Sequence, residues 1–161
     1  MRASFPLALL IACALPLAGC GKPVDLSAGL QVEDVSTGWL DTGMQSGQNK
    51  LVPSVTFKFK NVSDQPLPVL QANVLFRRAT EDAEWGSGFV TVTTSEGLAP
   101  GATSQELVVN SQLGYTGTEP RQQMLANSQF VDARVQLFAK YASTQWVKVG
   151  EFPVTRRLLT Q

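Results

Sequence analysis

From residue 30 onward, apolar and polar side chains alternate in short runs, the period of a strand with one buried face. The run 52–62 is the clearest. Val55, Phe57 and Phe59 alternate there with Thr56, Lys58 and Lys60. In 69–78, Leu70, Ala72, Val74 and Phe76 form an apolar face with Gln71 and Asn73 opposite. In 130–141, Val131, Ala133, Val135, Leu137 and Ala139 oppose Asp132, Arg134, Gln136 and Lys140. Weaker alternation predicts strands over 30–36, 85–94, 105–110 and 145–155, with 38–44 either continuing the first or pairing with it. The first of these would place Leu30, Val32 and Asp34 on one face.

Turn chemistry separates the runs. Residues 46–50 are polar with a glycine, 61–66 carry Asn, Ser, Asp and Pro, and 97–101 combine Pro and Gly. Residues 111–127 break the period. They read as a long loop, with one or two helical turns starting at Pro120, where proline suits the first helical position. Roughly seven or eight short strands with frequent turns predict an all-β, antiparallel, immunoglobulin-like sandwich. The run Phe-Lys-Phe-Lys-Asn-Val-Ser-Asp-Gln-Pro-Leu at 57–67 resembles a strand and turn of small immunoglobulin-like extracytoplasmic domains, including the FxLYD type. The Leu-Tyr-Asp of that type does not occur in this chain.

The first nineteen residues have a different pattern. Arg2 precedes an apolar segment over 5–15, too short for the ~20 residues of a spanning helix and interrupted at Pro6. Leu17-Ala18-Gly19-Cys20 closes it and resembles the lipobox of bacterial lipoproteins. The resemblance implies that residues 1–19 are a cleaved signal and that Cys20 carries lipid. Two or more acyl chains, at about 0.8 kcal/mol per buried CH₂, make a durable membrane anchor. It also implies the periplasmic face of the outer membrane, since Gly21 replaces the Asp that often retains such proteins at the inner membrane. Residues 20–28 read as a short lipidated tether and 29–161 as the sandwich domain.

Composition narrows the chemistry. The chain has 13 basic and 13 acidic residues and no histidine. The charges are dispersed, which gives no reason to expect nucleic acid as a partner. Lack of histidine excludes Ser-His-Asp and Cys-His catalysis and histidine-ligated zinc. Cys13 lies in the signal and Cys20 is assigned to lipid, so the domain has neither a disulfide nor a thiolate metal site. No cofactor is implied.

Candidate binding residues are few. Tyr115 and Arg121 sit in the long 111–127 segment, and long loops in compact domains often carry function. Trp146 follows a Ser-Thr turn, and an exposed tryptophan can anchor a partner. Trp39 and Trp85 are expected in the core or at its rim. Arg77-Arg78 and Arg156-Arg157 could jointly grip an anion if the fold brought them together. Charges at Asp132, Arg134 and Arg156 are expected as solvated ion pairs. Glu81, Asp82 and Glu84 form an acidic turn without the spacing of a calcium loop.

The expected function is that of a non-enzymatic, lipid-anchored envelope protein that binds a protein partner. The alternative is a carbohydrate or small-ligand module, with tryptophan and tyrosine stacking on sugar rings. A hydrolase using carboxylates alone is the third possibility.

Overall fold

Strands β1 (Leu30–Gln45) and β2 (Gln48–Asn61) form one long hairpin that organises the domain. They are seen in a computed structural model that describes residues 22–160. The hairpin closes through two residues, Ser46 and Gly47, with φ of 50° and 79°. Two positive φ angles make the turn twist with the strands it joins. Pairing therefore starts at Gln48, inside the stretch expected to be a polar turn.

Of the two arrangements expected for 38–44, it continues 30–36, as one strand with a kink. Its register slips between Glu33 and Ser36, where Asp34 has φ of 52°. A strict period of two from Leu30 would turn Trp39 outward. The bulge resets the alternation, so Thr37 and Trp39 point inward and are buried. Asp34, expected on the core face, instead reaches out to Lys58 at 2.9 Å.

Pro53 sits within β2 without breaking it. Its carbonyl accepts from the Ser111 amide at 2.9 Å. On that side β2 changes partners, from β6 (Tyr115–Gly117) over 49–51 to β5 (Leu107–Asn110) over 54–57. The missing N–H falls in the gap between them.

The second sheet holds β3 (Gln71–Arg78), β4 (Gly86–Thr91), β7 (Ala133–Lys140) and β8 (Val147–Pro153), in the order β4-β3-β7-β8. It faces β5-β2-β1, and all these pairings are antiparallel. The chain makes β1–β2, crosses for β3–β4, returns for β5 and crosses again for β7–β8. This is the Greek key of an immunoglobulin-like sandwich. The inward faces match the alternation in sequence: Val55, Phe57, Phe59, Leu70, Ala72, Val74, Phe76, Val135, Leu137 and Ala139 are all at 0% exposure. Burying each larger side chain contributes roughly 1.5–3 kcal/mol. No disulfide is needed to close such a core.

Four further features depart from expectation. The C-terminal β9 (Leu158–Leu159) pairs parallel with β1 at Trp39 and Leu40, so the sheet is not purely antiparallel. The long loop contains β6. The helix α2 (Arg121–Ala126) begins one residue after Pro120, which takes the cap position without a side-chain cap bond. Packing also starts within the expected tether. Asp25 caps a helical turn, α1 (Leu26–Gly29), through the Ser27 amide, and Leu26 is 1% exposed. The Val24 amide donates to the Tyr141 hydroxyl at 2.5 Å. Cys20 lies outside the described residues.

Candidate binding site

The two ends of the sandwich are chemically different. The hairpin end gathers the β1–β2 turn, β6, α2 and the loops 79–85, 127–132 and 154–157. Aromatic residues from four places in the chain converge there. Trp39 lies edge-on to Phe130 at 4.6 Å between ring centres, and Tyr115 is 5.6 Å from Trp39. Tyr115 also packs on Phe130 at 4.6 Å and on Trp85 at 5.1 Å. Offset and tilted pairs of this kind each add about 0.5–1.5 kcal/mol beyond area burial. Trp39 is fully buried, whereas Tyr115 and Trp85 remain partly accessible.

The backbone positions Tyr115 by close approach. Gly114 crosses β2 so tightly that a Cβ there would lie 2.0 Å from the Leu51 carbonyl oxygen. Only glycine lets β6 pair with 49–51 at that distance. The Tyr115 hydroxyl then donates to the Val131 carbonyl at 3.2 Å. The Asn49 amide ties the loop down further by donating to the Glu119 carbonyl at 2.9 Å.

Two arginines frame the aromatic group. Arg78 stacks 5.2 Å over Trp85, and Arg156 stacks 5.1 Å over Phe130. One member of each sequence pair therefore reaches the same cluster. Arg77 and Arg157 go elsewhere, to Gln136 and to Ser36. The guanidinium groups are already engaged. Arg156 bonds Asp132 at 2.6 Å and the carbonyls of Leu125 and Phe130, while Arg78 bonds Glu81 at 3.1 Å. Glu81 raises the Arg78 pKa, and Asp132 raises that of Arg156, each chiefly through its hydrogen bond. These arginines act as fixed charges and hydrogen-bond donors, not as proton-transfer groups.

A cleft of about 210 Å³ opens beside the cluster, lined by Tyr115, Phe130, Met124, Glu119, Asn127 and Gln129 among others. Its walls are aromatic and thioether, and its rim is amide and carboxylate. A larger depression of about 600 Å³ lies nearby over Arg134, Glu151, Phe152 and Arg156. Its charges are paired: Arg134 with Asp82 and Glu151, and Arg156 with Asp132. Glu81 and Asp82 of the acidic turn are spent on Arg78 and Arg134. Among the described residues, no group of three or more Asp or Glu is placed to hold a metal ion.

The structure does not bring the three sequence candidates together. Tyr115 lines the cleft. Arg121 ion-pairs with Asp41 and pins α2 to β1. That bond, with help from the Gly43 amide, holds the Asp41 carboxyl below its usual range against the opposing effect of burial. Trp146 sits at the opposite end of the second sheet. It follows Lys140, which pairs with Gln71 at the start of β3, whereas Trp85 lies beside the other end of β3, its amide donating to the Phe76 carbonyl at 2.8 Å. Trp146 contacts Phe89 and the Lys140 ammonium instead. Sequence reasoning missed Phe130, Met124, Asn127 and Gln129 as cleft residues. Met124 and Asn127 lie in the segment flagged for its length; Gln129 and Phe130 lie just beyond it and carried no signal.

No protein-family model matches the chain, and no curated protein matches it either. Two solved structures are similar in outline. A Northeast Structural Genomics Consortium target, SoR45, aligns with a TM-score of 0.46 at 15% identity, over 81% of this chain and 89% of its own. A Bordetella pertussis target of the same consortium, described as ApaA, aligns with a TM-score of 0.45 at 19% identity, over 79% and 93%.

Proposed function

We propose that this chain is a lipid-anchored, non-catalytic binding module of the bacterial envelope that receives a protein partner at the hairpin end. The observation that carries the proposal is the cleft at Tyr115 and Phe130. At about 210 Å³ it is smaller than the roughly 300–1,000 Å³ typical of small-molecule pockets. It has room for one large apolar side chain, and its amide rim can bond the backbone that presents it. Aromatic walls with engaged arginines behind them resemble the receiving half of an interface anchor. The anchor itself rests on the lipobox at Cys20. Outer-membrane placement rests on Gly21.

Photocrosslinking tests the partner site. A photoreactive residue at Thr116 or Gln129, both exposed, should yield a discrete protein adduct in intact cells. With the photoreactive residue at Thr116, a Gln129→Arg substitution at the exposed rim should abolish that adduct while leaving the protein folded and membrane-bound. A discrete adduct that survives Gln129→Arg, or no adduct alongside saturable binding of envelope glycans, would reject the protein-binding reading in favour of another.

A further inference from the structure

The opposite end carries a second surface. Four of the seven large apolar side chains that stand exposed among the described residues lie there. Phe89 is 59% exposed, Trp146 38%, Val62 42% and Val69 38%. Phe89 and Trp146 pack edge to face, 6.2 Å apart, across the outer face of the second sheet, and Lys140 lies 5.0 Å over the indole. Val69 holds its place with φ of 50°, a left-handed backbone that is rare for a β-branched residue. The Thr94 carbonyl bonds its amide at 2.8 Å, and the Ala142 amide bonds the neighbouring Pro68 carbonyl at 3.0 Å.

The chain enters the domain at this same end. Val24 is tied to Tyr141, and the Lys22 carbonyl accepts from the Gln65 side chain at 3.3 Å. Cys20 is four residues from Val24, so their Cα atoms are at most about 14 Å apart. If Cys20 carries lipid, the end bearing Tyr141, Val69 and Trp146 cannot leave the bilayer surface by more than a few residues of chain. We infer that this end rests on the membrane, with Trp146, Phe89 and Val69 in the lipid interface. The inference depends on the lipidation reading given above. Tryptophan beside a lysine suits that layer, apolar body inward and polar edge to the headgroups. Asp25, Asp64 and Glu96 share this end with Lys22 and Lys140. Apolar partition, not attraction to anionic lipid, is therefore the driving term. The arrangement would hold the Tyr115 cleft away from the membrane, at the far end of β3, roughly 25 Å distant.

The test uses the full chain, purified from membranes and reconstituted in phosphatidylcholine vesicles, with or without bromine on the acyl chains. Intact mass reports the state of Cys20 independently. With Cys20 acylated, the wild-type tryptophan emission should fall in brominated vesicles, and a Trp146→Phe variant should lose that quenching. Trp39 and Trp85, at the hairpin end, are internal controls. Acylated Cys20 with no quenching overturns the docking and leaves the anchor standing. Quenching that persists in Trp146→Phe also overturns it, because the wrong end would then face lipid. An unmodified Cys20 overturns both. Shielding of Trp146 from aqueous acrylamide that appears only when solubilised envelope proteins are added to the vesicles, with no quenching by brominated lipid, would assign the patch to a protein and overturn the lipid assignment.

Discussion

Asn61 shows how much one side chain can determine. It is fully buried at the end of β2. Its Nδ2 donates to the carbonyls of Gln65 and Leu98, both at 2.8 Å, and its Oδ1 accepts from the Ser63 amide and hydroxyl at 3.0 and 2.7 Å. One residue thus closes its own turn and clamps the loop at 98 from the other side. Each net hydrogen bond contributes about 1 kcal/mol, and orphaned partners add a penalty. Asn61→Ala should therefore cost about 3 kcal/mol in urea unfolding, with an unchanged slope. A loss below ~1 kcal/mol would mean that the network carries little. The turn itself was legible from the Asn-x-Ser-Asp pattern. The bond to Leu98 was not, because its partner is far along the chain and no periodicity reports it.

At the scale of elements, β7 and β8 are joined by charge as well as by backbone. Glu151 lies across from Gln136 and takes hydrogen bonds from Lys148, from Gln136 at 3.0 Å and from Arg134 at 3.3 Å. Lys148 first, then Gln136, lower its pKa from 4.5 to about 2. The unfolded chain binds that proton more readily than the folded one. The contribution is therefore complete above pH 4.5 and is lost as pH falls toward 2. Glu151→Gln should flatten the dependence of stability on pH within that window and leave its shape above pH 6 unchanged. Calorimetric midpoints across the range would show this, and an unaltered acid limb would contradict it. The alternating faces of β2, β3 and β7 were legible because each strand has one wet side. The bulge in β1, β6 and β9 were not. A bulge breaks the very period used to find strands, and strands of two or three residues are too short to show one.

In the whole molecule, residues 24–29 belong to the fold. Leu26 completes the core beneath α1, although its surroundings in sequence are polar and contain proline. Leu26→Ala should cost about 2–5 kcal/mol, the range for a leucine removed from a packed core. Ser27→Ala, on the exposed side of the same turn, should cost less, by loss of the bond to Asp25. Thermal unfolding of both variants separates core membership from a loose tether. Under the tether description, both would be neutral.

The amino-acid sequence by itself determined the class of fold, the inward residues of the strongest strands, the lack of histidine and the lipobox-like Leu17-Ala18-Gly19-Cys20 motif on which the anchor proposal stands. These are local properties: period, turn composition and a short contiguous motif. Tertiary structure decided that Tyr115 meets Phe130, Trp39 and Trp85, that Arg121 serves Asp41, and that Trp146 lies at the other end with Phe89. Those contacts depend on strand order and on register across two sheets. A single misplaced bulge would turn Trp39 outward and dissolve the aromatic group, so no pattern along the chain could have specified it.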